Sequence, residues 1–526
     1  MIKLKRIVIL TAAIVFSLNS WAQEITIKGV VTSANNNTPI SNVDIRLKGA
    51  IEVVTKSDKA GNFNIVIPEK SSNTLIFTHS NFDTYELNVQ NKQFVKVELF
   101  SSVRRNQYGK IVNRTSLNGE SQNGILVFES ADQNFKYWFD NRVYFDAMTP
   151  IGESLNDIGR GVDIRRARFA IKANLWKHWY GEFDIDVAGG TVEMKDMIVK
   201  YTGNNWNVKV GHYKEGFSME TTTTSRYLTF IERSLVSKMA PSRHLGLQGN
   251  YWGKHFLAIA GIHFRPTGEL EEANTAKDAN KDKGTNDGIS YTGRFVYMPI
   301  QEQSKVLHIG AAASYRTPKS HLEVPNSYRF STRAFTSINR KKYIDTDDIT
   351  DVDNNLLLGA ELAGAWNQFM FQSQYMVNKI NRIGDAKDVT LEGGFVQAGW
   401  LIFGGSYVYN NKEGEFTQVN RGKDWGDIEL AARFDYMNAN DFDAKIYGGA
   451  ANAYTLGVNY HINSNVKLML NYSYIDHDRY ANGKGKLNIY KDAEGNLHKD
   501  PFDVEIPKGK GGDDFGILSA RIEIDF

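Results

Sequence analysis

The chain has 526 residues, enough for one large unit and one small one, with 62 Lys and Arg against 60 Asp and Glu, 12% aromatic residues, 45 Gly, 10 Pro and no cysteine. A mean hydropathy of −0.41 excludes a bundle of transmembrane helices, the aromatic content excludes disorder, and the near-balanced charge speaks against a nucleic-acid partner. Without cysteine there are no disulfides, no thiolate chemistry and no lipoprotein anchor.

At the start, Lys3, Lys5 and Arg6 precede an apolar run from Ile7 to Leu18, and Ser20 and Ala22 put small residues ahead of Gln23. That is the pattern of a secretory signal peptide over 1–22. No later stretch approaches ~18 consecutive apolar residues, so any membrane residence is expected to be as strands.

Residues 23–100 follow as short alternating strands: Ile25, Ile27 and Val30, then Val43, Ile45 and Leu47, then Phe63, Ile65 and Ile67 after the turn Asp58-Lys59-Ala60-Gly61. Strands of this length and spacing predict a small β-sandwich. Residues 101–130, with Arg104, Arg105, Asn106, Gln107, Gly109, Asn113 and Gly119, read as a polar linker.

From 131 to 526 the alternation is plain. Ala167, Phe169, Ile171, Ala173 and Leu175 fall on one face, with Arg166, Arg168, Lys172 and Asn174 on the other. Trp206, Val208 and Val210 oppose Asn205, Asn207 and Lys209, and Leu518 to Phe526 alternates in the same way. Each strand then has one apolar and one charged face. A soluble sandwich has that too, but three features favour an all-β fold whose main part is a 16-stranded antiparallel transmembrane β-barrel. Sixteen strand candidates begin near 136, 164, 180, 194, 206, 245, 255, 289, 306, 356, 368, 391, 427, 453, 465 and 515. Short connections (176–179, 253–254, 462–465) mostly alternate with long ones (214–244, 265–288, 477–514), as outer-membrane barrels require. The third is the aromatic Phe526 on the apolar row, read as an assembly signal. The connection 404–426 breaks the alternation: it is long where a short periplasmic turn is due, so either it folds into the lumen or the strand boundaries lie elsewhere.

Two segments resemble known families. Ile27-Lys28-Gly29-Val30-Val31, Pro39-Ile40-Ser41-Asn42-Val43 and Ser57-Asp58-Lys59-Ala60-Gly61-Asn62-Phe63 resemble the carboxypeptidase regulatory-like, prealbumin-like domain, a seven-stranded sandwich without enzymatic residues. Gly211-His212-Tyr213-Lys214-Glu215-Gly216-Phe217, Thr229-Phe230-Ile231-Glu232-Arg233-Ser234-Leu235 and Ala240-Pro241-Ser242-Arg243 are similar to the phosphate-selective porin O and P family, as are Arg165-Arg166-Ala167-Arg168-Phe169 and Tyr454-Thr455-Leu456-Gly457-Val458-Asn459-Tyr460. The resemblance implies a sixteen-stranded, homotrimeric porin whose third external loop folds inward and carries basic residues for phosphate or other anions. Glu215-Gly216 departs from the expected Lys-x-Pro-Phe type, and the extra carboxylate is expected to weaken strict phosphate selectivity.

An anion filter needs Arg and Lys at the water-filled axis. Segment 214–244 supplies Lys214, Arg226, Arg233, Lys238 and Arg243 against Glu215, Glu220 and Glu232; the strand at 165–175 adds Arg166 and Arg168. These seven basic residues are the candidate pore and anion-binding site. Two bland alternatives stand beside it: pairing of Arg166, Arg168 and Lys172 with Asp184 and Asp186 on the next strand, and solvated loops or patches that grip lipopolysaccharide phosphates. Segment 316–342 carries Arg316, Lys319, Arg329, Arg333, Arg340, Lys341 and Lys342 against Glu323, and is placed near the external mouth. The acidic run from Asp345 to Asp353 lacks the glycine of a calcium loop, Leu356 standing in its place. No catalytic motif, cofactor signature or metal set is found.

The expected function is a passive outer-membrane channel for small solutes, anions such as phosphate among them, contacting outer-membrane lipids and lipopolysaccharide and holding its N-terminal domain in the periplasm. The alternative is a barrel that only anchors a surface-binding or adhesion protein.

Overall fold

Alternating apolar and charged positions force most of this chain into one closed sheet. The computed structural model describes residues 25–68, 72–90, 92–112, 115–267, 286–302, 304–319, 324–502 and 511–526. The signal peptide expected over 1–22 lies outside them. Two compact units part between Ser116 and Leu117.

In the first unit, Asn62–Ile67, Ile25–Ser33 and Phe94–Leu99 form one sheet, and Thr55–Lys56, Asp44–Leu47, Thr74–His79 and Phe82–Asn88 form another. Inward residues from both, including Ile27, Val31, Ile45, Phe63, Ile65 and Phe77, make a shared core. The Asp-x-x-Gly-x-Phe piece has a physical reason. Asp58 Oδ1 accepts from the backbone N–H of Ala60 and Asn62, both at 2.8 Å. Gly61 sits at φ +79°, and a Cβ there would lie 2.4 Å from the Val31 carbonyl oxygen. Phe63 then reaches Phe77 edge to face at 5.5 Å.

In the second unit, sixteen antiparallel strands close on themselves among the described residues. We number them β1 (Phe135–Phe139, continued as Arg142–Ile151), β2 (Gly161–Leu175), β3 (Trp179–Asp186), β4 (Glu193–Thr202), β5 (Trp206–Lys214), β6 (Arg243–Trp252), β7 (Phe256–His263) and β8 (Ser290–Glu302). There follow β9 (Lys305–Arg316), β10 (Val352–Trp366), β11 (Phe369–Arg382), β12 (Val389–Leu401), β13 (Asp427–Asp441), β14 (Ile446–His461), β15 (Val466–His477) and β16 (Phe515–Asp525). β1 pairs with β16 from Arg142↔Asp525 to Ile151↔Gly516, which shuts the barrel. No helix among the described residues is long and apolar enough to cross a membrane; the strands do so instead.

The barrel is inside out. On β2, Phe169 and Ile171 are more than 40% exposed and Arg168 is buried; on β16, Ile522 is 47% exposed and Arg521 is buried. Apolar residues face lipid and charged residues face the lumen. Trp176, Trp179, Trp206, Trp366 and Trp400 ring the end with short turns, and the paired Tyr454 and Tyr474 stand toward the other, as amphipathic rings do at the two membrane interfaces.

The segment expected to be a linker over 101–130 contains more structure than its polarity suggests. Leu117–Gln122 and Ile125–Ser130 form a hairpin that pairs with the Phe135–Phe139 part of β1. β16 ends level with Arg142, so the lower part of β1 has no barrel strand on that side, and the hairpin covers the edge. Its tip packs on the 462–465 turn, where Gly124 leaves no room for a Cβ beside Asn465.

Candidate functional site

Beyond Lys214 the chain turns into the barrel. At Gly211, φ is +136° and a Cβ would lie 1.9 Å from the Met197 carbonyl oxygen, so β5 bends there only as glycine. Residues 219–222 make one helical turn capped by Ser218, whose Oγ accepts from Thr221 N–H and donates to Gln374 of β11 at 3.0 Å. Met219 N–H donates to Glu361 of β10 at 2.7 Å, and Arg142 of β1 to Thr224 Oγ1 at 2.9 Å. Ile231 N–H donates to Asn471 of β15 at 2.8 Å, and Leu235 N–H to Asp435 of β13 at 3.0 Å, before the chain rejoins β6. The loop therefore lines β10 to β16 and leaves open space toward β1 to β7, crossed by Arg142 of β1, by Arg165 of β2, which reaches Glu232, and by the bond from Gly216 N–H to Gln248 of β6.

That space is a cavity of about 560 Å³, bordered by Thr332 to Ser337 from the long-loop end and by Glu413 and Glu415 from the short-turn end. Thirteen Arg and Lys side chains line it against six carboxylates. Several of the latter are already engaged. Asp196 takes Arg243 in a bidentate pair at 2.6 and 3.1 Å. Arg168 bridges Asp186 at 3.0 Å and Asp184 at 3.7 Å; Lys172 bridges Asp140 and Glu182; Arg165 grips Glu232 at 2.7 Å. Arg166, Lys200, Lys209, Lys238 and Arg333 have no carboxylate within 4 Å among the described residues. Lys200 and Lys209 lie over the rings of Tyr180 and Tyr213 at 4.6 and 4.2 Å, and Arg166 lies 5.9 Å from the Tyr144 ring with its Nε unpartnered. Burial lowers the Lys238 ammonium below the usual lysine range, Glu232 opposing the shift and Arg165 adding to it.

Of the seven residues singled out in the sequence, Lys214, Arg233, Lys238, Arg243, Arg166 and Arg168 line this cavity together. Lys214 and Arg233 donate to backbone carbonyls of the inward loop, Thr222 and Thr223 for the lysine, Glu220 and Thr223 for the arginine. Arg226 does not join them. It lies on the other side of the loop, paired with Asp140 and 3.6 Å from Asp525. The pairing of β2 cations with β3 carboxylates holds for Arg168 with Asp184 and Asp186 but not for Arg166.

Two expectations need correction, and one open alternative is decided. Glu215 does not oppose anions in the pore: it is fully buried, accepting from Arg316 and Thr292 and lying 2.9 Å from His244. Its charge is compensated away from the cavity. Segment 316–342 is not simply at the mouth. Phe330 and Phe335 are buried in a core that also holds Leu235 and Val236 of the inward loop, and Arg333 reaches the cavity lining. Arg329 pairs bidentately with Asp345 at the start of the acidic run. Finally, the long connection at 404–426 enters the lumen. Tyr409–Asn410 and Glu415–Phe416 form a hairpin there, with Tyr407 and Phe416 packed on Met219, Met370 and Leu401. The apolar spacing of Tyr407, Tyr409 and Phe416 was the signal available for this.

A closed sixteen-stranded wall with a lipid-facing exterior and an ion-lined interior narrowed by inward loops defines an outer-membrane porin. The sequence agrees: residues 139–498 match the family described as phosphate-selective porin O and P, and the chain belongs to that family. Residues 27–112 match a CarboxypepD_reg-like domain. Porin O of Pseudomonas aeruginosa is 24% identical over 398 residues, covering 69% of this chain and 88% of that porin. Among solved structures, OmpT of Vibrio cholerae (TM-score 0.45, 11% identity, 75% of this chain and 98% of that one) and an anion-selective porin from Comamonas acidovorans (TM-score 0.44, 11% identity, 74% and 100%) are similar in fold. Membership of a porin family points to a channel.

Proposed function

We propose that this porin passes small anions, phosphate among them, through the basic cavity between the inward loop and β1 to β7. The observation that carries the reading is the surplus of lining cations, and above all Arg166, Lys200, Lys209, Lys238 and Arg333, which among the described residues have neither a carboxylate within 4 Å nor the backbone carbonyls that hold Lys214 and Arg233. A charge in a narrow, partly desolvated passage acts more strongly than in bulk water, and guanidinium forks suit phosphate oxygens. Arg166, Lys238 and Arg333 form the strongest part of the filter, with Lys214, Arg233, Arg168 and Arg243 contributing around them. Arg226 serves the inward loop by tying it to Asp140. The porin assembles as a homotrimer, in keeping with family relatives, and its external surface meets lipopolysaccharide. The sandwich at 23–100 lies in the periplasm, because the first strand of the barrel at 131–526 starts from the short-turn end, which in outer-membrane barrels faces inward.

The test is current block. Phosphate added to purified channels conducting chloride in a planar bilayer should reduce chloride current in a saturable way. A strictly linear response, with phosphate no different from an equal charge of chloride, would leave only a general porin.

A further inference from the structure

Two segments enter the lumen from opposite ends, the loop at 215–242 and the hairpin at 409–416, and one wall carboxylate touches the supports of both. Glu361 of β10 has a side chain only 3% exposed. Its Oε1 accepts from Met219 N–H at 2.7 Å and from Gln374 Nε2 at 2.6 Å. Its Oε2 accepts from Arg294 Nε at 3.0 Å and lies 3.0 Å from His308 Nε2. A carboxylate offers about four lone-pair sites, so this one is full.

The partners continue the link. Arg294 also donates to the carbonyls of Glu413 and Gly414 at 3.3 and 2.8 Å, and His308 Nδ1 lies 2.6 Å from Tyr409 Oη. Gln374 Oε1 in turn accepts from Ser218 Oγ and Glu220 N–H at the start of the inward helix. Thus one oxygen of Glu361 serves the loop and the other serves the groups that hold the hairpin. The helical turn itself packs against the hairpin through Thr222 and Glu415.

We infer that Glu361 is a positioning residue that locks the external loop and the short-turn hairpin into one unit, and so sets the width and steadiness of the open path. Neither segment has regular structure long enough to hold itself in place in a water-filled lumen. Removing the carboxylate leaves Arg294 buried without its counter-charge, which is costly in a dry pocket, and frees both segments at once. The inference rests on the barrel conducting, not on its preferring anions, and conductance and noise read it separately from reversal potential.

Because the chain has no cysteine, a staple can be added cleanly. Glu361→Ala channels should show rapid flicker between sublevels and a maximum conductance raised about twofold. Adding Thr222→Cys and Glu415→Cys and joining them with a short reducible bis-thiol linker should return quiet openings of the unlinked Glu361 protein's size, and reductant should restore the flicker. Arg294→Met, which releases the hairpin alone, should flicker too and gives the answer if Glu361→Ala fails to assemble. Quiet openings of wild-type size in either variant, or flicker that persists after stapling, would overturn the inference.

Discussion

Arg166 and Arg168 leave the same face of β2 two residues apart and meet different surroundings. Arg168 is held between Asp184 and Asp186, whereas Arg166 lies over Tyr144 with no carboxylate beside it. Period-2 alternation makes both legible as lumen residues, since it needs only local sequence. The difference between them was not legible, because it depends on register with β3 and on a loop about 65 residues downstream that brings Glu232 to Arg165 instead. The two substitutions should therefore separate. Arg166→Ala should weaken anion preference and leave heat stability unchanged, while Arg168→Ala, which strips two buried carboxylates of their partner, should lower the temperature at which the folded band is lost on gels. Lys238 gives a pH test. Its proton affinity is lowered by burial, so its charge is lost before that of an ordinary lysine as pH rises. Anion preference should begin to fall below about pH 10, the usual lysine range, and Lys238→Arg should move that fall to higher pH.

At the scale of elements, all sixteen strands were visible in advance because each carries its own pattern of apolar and charged positions. The two inward segments were harder. Tyr407 and Phe416 bury themselves against residues of β9 to β12 and of the other inward loop, partners that no local pattern names. The hairpin at 117–130 was hidden for another reason: its polar outer strand reads as a connector, and only the unpaired lower part of β1 makes it a strand. Gly211 marks where wall becomes loop. Gly211→Ala must accept a strained backbone costing roughly 1–3 kcal/mol as well as a clash with Met197, so little of the heat-modifiable form should appear in the outer membrane.

On the scale of the whole molecule, the chain divides into a sandwich with its own core and a barrel with its own closure. Deleting 25–116 should leave a barrel that still inserts and conducts. Extending the deletion through Ser130 exposes the edge of β1 and should lower the yield of folded barrel; equal yields would deny the hairpin its covering role. The basic cavity is the heart of the account, and ion selectivity reads it most directly. In a potassium chloride gradient across a planar bilayer, the zero-current potential of the wild-type porin should mark chloride as the more permeant ion. The combined Arg166→Ala, Lys238→Ala and Arg333→Ala change should move that potential toward neutrality, with a smaller difference at high salt where charges are screened. A wild-type pore that prefers potassium, or a triple variant with unaltered selectivity, would contradict the account.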